Sequence, residues 1–229
     1  MNYNYNNIFQ THKSIKYINS NPKLTLAMKS WLKHTNNFKY YFYDDNKCDL
    51  FMKRIGGDIY KAYQKLPIKV MKADLWRYCI IYKYGGIYAD VDTICKVNPL
   101  IFLNDALLTI VPENETHLCQ WVFSAPPKSK ILKEVIDLSV KRILEIKRIK
   151  GEHIIHYLTG PGVFTDGIEK YLTHHNYVTF SNKNLYHKYP DSSQLRVFNG
   201  PIFHHNLVIH LFSGQDSDGW CKEINSKLT

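Results

Sequence analysis

The chain has 229 residues, 45% hydrophobic and 22% charged, a globular composition at a length that suits one domain with its own core and no disulfide or metal staple. Its formal charge of +10 is spread over lysines along the whole chain; without a focused basic stripe or a nucleic-acid-binding motif, nucleic acid is not an expected partner, and the charge serves at most to assist an anionic substrate. Five cysteines with no C-x-x-C argue against a disulfide framework or zinc site, no apolar run of about 18 residues is present to span a membrane, and the polar residues 1–7 lack a signal peptide's apolar core, so the expected location is the cytoplasm.

In chain order, Ile8, Phe9 and Gln10 suit a short first strand. Asn21 then supplies a cap before Pro22, and Leu24, Met28, Trp31 and Leu32 follow at helical spacing, so residues 22–34 read as an amphipathic helix. The aromatic run 38–43 is strand-like and stops at Asp44, Asp45 and Asn46. Leu50, Phe51 and Ile55 suggest a second helix, ended by Gly56 and Gly57. Over residues 68–84, Met71, Leu75, Tyr78, Cys79 and Tyr82 form one helical stripe, and Trp76, Ile80 and Ile81 make most of the remaining surface apolar. A helix apolar nearly all round is buried. Gly85 and Gly86 stop it, and Ile87, Tyr88 and Ala89 form a strand running into Asp90 and Asp92.

This alternation predicts an α/β chain with a mostly parallel central sheet flanked by helices. Ligands of such sheets sit beyond the carboxyl ends of the strands, where Asp90 and Asp92 fall. Past residue 100 the pattern is less regular. Residues 107–111 and 120–123 look like strands, and Ser129 begins a helix with Leu132, Val135, Ile136, Ser139 and Ile143 on one side. Residues 159–162 form a turn before a helix near 164–172, and residues 177–180 and 207–211 are later strands.

Two carboxylates at i and i+2 of an extended segment point to the same side. Asp90 and Asp92 can therefore present oxygens to one hard cation, Mn2+ or Mg2+, in an incomplete site that a diphosphate would complete. A D-x-D also arises by chance in exposed loops, and the second one, Asp216-Ser217-Asp218, is read that way. The first follows a buried strand and a glycine pair. On the buried helix before it, Asp74 and Arg77 share a face at i, i+3, either as an ion pair satisfying itself or as a polar pair aimed at ligand hydroxyls. A buried ion pair is a weak stability device, which favours the second reading.

The segments from Lys72 to Tyr78 and from Tyr84 to Thr93 closely resemble the D-x-D sugar-binding motif of glycosyltransferase family 32, and their spacing is similar to that of the glucosylating clostridial toxins. Gln10-Thr11-His12-Lys13 resembles the family's opening I-H-Q-x-W-K, with His12 where tryptophan is more usual. Tyr43-Asp44-Asp45 resembles its W-D-D, Thr159-Gly160-Pro161 its T-G-P, and His210 to Trp220 its closing H-x-x-S-G-S-W, here with a longer insert before Trp220. The resemblance implies a GT-A fold as one catalytic domain over residues 1–229, with a nucleotide-sugar half at about 1–100 and an acceptor half at about 101–229. It implies Asp92 as direct metal ligand, with Asp90 beside it and His210 as a C-terminal metal or diphosphate ligand. Asp74 and Arg77 would hold donor-sugar hydroxyls. Gln10, Thr11, Ser213 and Trp220 would lie at the donor or nucleotide. The expected activity is a retaining, metal-dependent transfer from a UDP- or GDP-sugar to a glycan or protein-linked glycan acceptor.

Two other readings stand beside it. Asp90-Val91-Asp92-Thr93 fits the D-x-D-x-T signature of haloacid-dehalogenase-type phosphatases, with Asp90 as nucleophile and Asp92 as general acid. That signature normally follows a long apolar strand near the start of its domain, whereas here it lies about ninety residues in. A transferase that binds nucleotide without catalysing transfer is the other, opposed by the intact set Asp74, Arg77, Asp90, Asp92 and His210.

Overall fold

The structure is a computed structural model that describes residues 5–34, 36–112, 117–151, 153–175, 194–198, 206–213 and 228. Strand β1 (Asn7–Thr11) leads through α1 (Ile15–Ser20) and α2 (Pro22–Leu32) to β2 (Lys39–Tyr43). Three helices follow, α3 (Asp45–Ile55), α4 (Gly57–Lys65) and α5 (Lys69–Tyr84), then β3 (Gly86–Ala89), β4 (Thr93–Cys95) and a short 3-10 turn at Pro99–Phe102. The remainder comprises β5 (Leu108–Pro112), β6 (Leu118–Ala125), α6 (Lys130–Glu145), α7 (Ile154–Leu158), α8 (Pro161–His174), β7 (Leu195–Val197) and β8 (Val208–His210).

The main sheet has the order β2-β1-β3-β6-β5-β7. The β1–β2, β1–β3 and β5–β7 pairings are parallel; β6 runs antiparallel to both β3 and β5. The sheet is therefore mostly parallel, as the alternation of elements predicts, with one reversed strand at its centre. Strands 118–125 and 86–89 are buried on both faces, so their residues do not alternate in hydrophobicity and carry no sign of strand direction. A second, two-stranded sheet pairs β4 with β8 antiparallel.

Local chemistry accounts for the helix ends. The Asn21 side chain accepts from the N–H groups of Lys23 and Leu24, with Pro22 opening α2. Asp44 caps α3 through Lys47 N–H, and Ser129 caps α6 through Leu132 N–H. Gly56 and Gly57 end α3 as expected, and they also form the joint to α4, which starts at once, both at positive φ (69° and 58°). The sequence pattern also missed α1 and α7, each under two turns long, too short for an apolar period to register. The expected helix near 164–172 starts earlier, because Pro161 takes its first turn. The strand expected at 177–180 lies outside the described residues.

Helix α5 buries Met71 and every residue from Asp74 to Ile81. It packs in a core with Phe51, Met52, Phe123, Ile131, Val135, Phe164 and Ile168, which come from both sides of the sheet's midpoint in sequence. No helix among the described residues is long and apolar enough to cross a membrane.

The stop between α5 and β3 depends on two glycines. A Cβ on Gly86 would lie 2.5 Å from the Asn7 carbonyl oxygen at φ 114°, and one on Gly85 would lie 2.5 Å from Pro127 Cδ at φ 65°. Gly57 has a similar positive φ but open space around it. Gly86→Ala is expected to cost about 3 kcal/mol or more, from backbone strain plus overpacking. Gly57→Ala is expected to cost only about 1 kcal/mol, from strain alone. Urea unfolding of the two variants measures the difference, and equal costs would mean that close approach of β1 is not what requires Gly86.

Candidate active site

Strand β3 ends at Ala89, and the chain turns sharply. Thr93 N–H donates to the Asp90 carbonyl at 3.1 Å, and Asp90 N–H donates to the Trp121 carbonyl at 2.8 Å. Asp90 and Asp92 thus sit on a tight turn between β3 and β4, not on an extended segment. What points them to a common place is the turn together with the strand across from it.

Three outside groups fix that turn. Gln10, fully buried on β1, donates from Nε2 to the Asp90 carbonyl (3.1 Å) while its Oε1 accepts from the Tyr40 hydroxyl (2.7 Å). Trp31 Nε1, from α2, donates to the Thr93 carbonyl at 3.0 Å. The Ser30 hydroxyl accepts from Cys95 N–H at 2.8 Å. Both ends of the Gln10 amide are engaged inside the protein, so this residue, expected beside the nucleotide, holds the backbone of Asp90. Thr11 donates to the Tyr43 carbonyl at 2.8 Å, tying the ends of β1 and β2 together.

The pairing of β4 with β8 puts Thr93 opposite His210. Leu211 N–H donates to the Asp92 carbonyl and Ser213 N–H to Asp92 Oδ2, each at 2.9 Å. Ser213 therefore serves the site through its backbone, while Trp220 lies outside the described residues. His210 Nε2 faces Asp90 Oδ2 at 3.6 Å and Asp92 Oδ1 at 3.5 Å. Its Nδ1 accepts from Phe212 N–H at 2.9 Å, with Phe212 held at φ 53°, a left-handed conformation uncommon for a bulky residue and frequent at functional sites. The Trp121 indole packs edge-on against the His210 ring at 5.0 Å.

Ligand atoms of Asp90, Asp92 and His210 all lie within 4.8 Å of one another. Neighbouring ligands on one octahedral Mn2+ or Mg2+ are about 3 Å apart, so small side-chain shifts suffice to enclose such an ion. Two carboxylates and an imidazole suit a hard to borderline divalent cation. With Nδ1 accepting from Phe212, the neutral ring carries its proton on Nε2 and donates toward the aspartates. It becomes a cation ligand only when Nε2 gives up that proton, and a proton placed on Nδ1 requires the Phe212 hydrogen bond to open.

Behind the pair, Arg77 and Asp74 are 5% and 2% exposed. Arg77 Nη2 lies 3.0 Å from Asp74 Oδ1 and 3.2 Å from Asp90 Oδ1, and its guanidinium stacks over the Tyr88 ring at 4.7 Å. The Tyr88 hydroxyl donates to Asp90 Oδ1. Burial pushes Tyr88 well above its usual pKa, which keeps it a neutral donor. Burial also works against ionisation of Asp90, but Arg77 and His210 overcome it and hold this carboxyl below the usual range. For Asp92 burial prevails and the carboxyl is raised, with His210 partly opposing it. Asp74 is raised to about 6, chiefly by burial, with Arg77 opposing. Tyr88 and Gln120, both members of this network, were not singled out by sequence. A glutamine within the otherwise apolar run 118–123 is the signal that could have found the second.

At the carboxyl end of β1, the His12 ring stacks on Tyr17 at 5.0 Å. Burial, and then Lys13, lower its pKa to about 4, so it is neutral at physiological pH.

The family described as "Glycosyltransferase sugar-binding region containing DXD motif" matches residues 1–116, which include β1, α5 and the aspartate turn. The chain belongs to this glycosyltransferase family. The chain is 27% identical over 203 residues to the initiation-specific alpha-1,6-mannosyltransferase of Candida albicans, covering 72% of this chain and 52% of that protein. It is 28% identical over 184 residues to the Schizosaccharomyces pombe protein of the same name, covering 68% and 46%. The chain thus spans about half the length of these relatives. The solved PaToxG glycosyltransferase superposes with a TM-score of 0.55 at 16% identity, covering 73% of this chain and 70% of that one, which supports the GT-A type of fold. Membership of the family displaces the phosphatase reading of the segment from Asp90 to Thr93.

The geometry ranks these residues. Asp92→Asn is expected to weaken Mn2+ binding more than a hundredfold, and His210→Ala by about ten- to a hundredfold, with calorimetry as the measurement. An equal or reversed order would remove Asp92 as the principal ligand. A cation displaces protons from its ligands. Because Asp92 is raised, it still holds its proton at pH values where an ordinary carboxylate has lost it, so on acidification Mn2+ affinity should already fall over the pH range just above that of an ordinary carboxylate. A flat profile over that range would contradict the raised carboxyl.

Proposed function

We propose that this glycosyltransferase moves a hexose from a UDP- or GDP-sugar to a hydroxyl of a glycan, with retention, using a divalent cation held by Asp92, Asp90 and His210. The observation that carries this reading is the convergence of those three side chains on one point at the carboxyl end of β3, with Arg77 buried behind them. The bound cation would supply Lewis-acid stabilisation to the departing diphosphate.

The chain's own residues do the rest. Gln10, Trp31 and the β8 backbone hold the aspartate turn rigid, so no reorganisation is needed as charge develops. Arg77 and Tyr88 keep Asp90 ionised and aimed. In the reaction the anomeric C–O bond to the diphosphate breaks, a new bond forms from the same carbon to the acceptor oxygen, and the acceptor proton passes to a leaving-group oxygen. Its transition state has oxocarbenium character. Asp74, Asp90 and Asp92 are engaged with Arg77, Thr159, His210 or backbone N–H groups. In this reading Asp90 and Asp92 are committed to the cation and Asp74 is buried behind Arg77, which supports attack by the acceptor from the face the diphosphate leaves. The full span 1–229 acts as one catalytic domain in this reading. Since the named relatives are mannosyltransferases, mannose is the first sugar to test.

A panel of UDP- and GDP-sugars, mannose included, with and without Mn2+, should reveal one donor that is slowly hydrolysed and that raises the melting temperature only with the metal. Asp92→Asn should abolish both effects while leaving the circular dichroism spectrum unchanged. Full activity in that variant, or donor hydrolysis indifferent to metal, would sink the proposal.

A further inference from the structure

Asp74 is the charged group farthest inside the site, and nothing in its own helix satisfies its second oxygen. Oδ1 is engaged by Arg77 (3.0 Å) and, more loosely, by Gln120 Nε2 (3.4 Å). Oδ2 accepts from the Thr159 hydroxyl at 3.1 Å. Thr159 is fully buried and stands at the end of α7, immediately before Gly160 and Pro161 open α8. Its position is itself fixed. Thr159 N–H donates to the Ile155 carbonyl (2.9 Å), and its carbonyl accepts from the Tyr78 hydroxyl (2.7 Å). The same Tyr78 hydroxyl lies against Gln120 Oε1. Tyr78, Gln120 and Thr159 thus form a closed polar cluster around one carboxylate, supplied by α5, β6 and the α7–α8 turn.

The turn does not need the threonine hydroxyl for its own geometry. Gly160 N–H donates to the Ile155 carbonyl at 2.7 Å, and the space around the turn is set by glycines. A Cβ on Gly162 would fall 2.7 Å from the His156 carbonyl oxygen, and one on Gly160 would fall 3.0 Å from His156 Cα. The hydroxyl lies closer to Asp74 Oδ2 (3.1 Å) than to the Ile155 carbonyl of its own turn (3.5 Å), which two backbone N–H groups already engage. From Asp74 the contacts run through Arg77 to Asp90.

We propose that Thr159 and Gln120 are positioning residues: they hold Asp74 so that Arg77 sets the Asp90 carboxylate, which ties the α7–α8 turn of the later half of the chain to the D-x-D turn of the first. This inference rests on the transferase reading for its kinetic consequences and not for its contacts. Without the Thr159 hydroxyl, Asp74 Oδ2 has no hydrogen-bond donor among the described residues, and a buried carboxylate oxygen without a donor moves to find one. Arg77 follows Asp74, and the Asp90 carboxylate loses its fixed direction. A small displacement of this kind reduces turnover without touching the substrate.

The test uses the full chain and the variants Thr159→Val, which keeps shape without the hydroxyl, Thr159→Ser, which restores it, Asp74→Asn, and the double variant Thr159→Val/Asp74→Asn. Thr159→Val is expected to lower the melting temperature by roughly 3–10 °C and kcat by about tenfold or more, with KM for the donor changing less than threefold. Thr159→Ser is expected to recover most of both. The double variant should melt within about 2 °C of the lower single variant, because the two substitutions break one interaction. Additive melting shifts would overturn the contact. A Thr159→Val enzyme that melts lower yet keeps wild-type kcat would overturn the positioning role and leave the hydroxyl a fold element only. If instead the wild-type chain turns over no donor, the transferase reading fails. The thermal cycle then still decides the contact, and Mn2+ affinity, expected to fall at least fivefold in Thr159→Val and unchanged if the proposal is wrong, decides the positioning.

Discussion

A guanidinium taken out of water needs opposite charge beside it, and Arg77, whose Nε has no hydrogen-bond partner among the described residues, is compensated at Nη2 by two carboxylates that belong to different elements. Asp74 lies one turn away on the same helix, and Asp90 lies beyond the end of β3. Breaking a buried pair of this kind costs about 3–5 kcal/mol, because the remaining charge is stranded. Helix α5 therefore cannot rotate or slide against β3 without stranding a charge. The apolar residues around it, from Leu75 to Ile81, supply the burial that makes this constraint strict. The D-x-D turn inherits its position from the helix, and the helix inherits its rotation from the charges.

The second constraint is non-local. Asp92 is fixed by chain that arrives more than a hundred residues later, through Leu211 and Ser213 N–H. The same pairing brings His210 opposite Thr93. The two aspartates thus differ in their electrostatics for structural reasons. Asp90 has a permanent cation beside it and stays ionised. Asp92 has backbone donors and a histidine, and its burial wins. One carboxylate is a settled charge, and the other is the one whose state a metal changes most.

The sequence announces the local parts of this design. The all-round apolar character of residues 68–84, the glycine pair after it and the aspartates beyond are contiguous, and each follows from a short-range rule of helix burial or termination. Asp74 and Arg77 are visible for the same reason, since i, i+3 spacing is a statement about one helix. His210 carries no such mark, because strand pairing across more than a hundred residues leaves no local pattern; only the family resemblance brought it forward. Gln10 was visible but its job was not. A buried amide that spans Tyr40 and the Asp90 carbonyl reads identically to one that faces a ligand until the partners are in place. The reversed direction of β6 was equally hidden, because a strand buried on both faces reads alike in either direction. Thr159 looked like part of a turn, and its hydroxyl acts on a different element.

We propose Asp90, Asp92 and His210 as one cation site at the carboxyl end of β3. Its most direct test is a crystal of the protein grown with Mn2+ and a nucleoside diphosphate, with anomalous scattering recorded near the manganese edge. A single strong anomalous peak is expected within coordination distance of an Asp92 carboxylate oxygen and beside Asp90 and His210, with the diphosphate completing the shell. A peak elsewhere, or a diphosphate bound at this edge with no metal between it and Asp92, would contradict it.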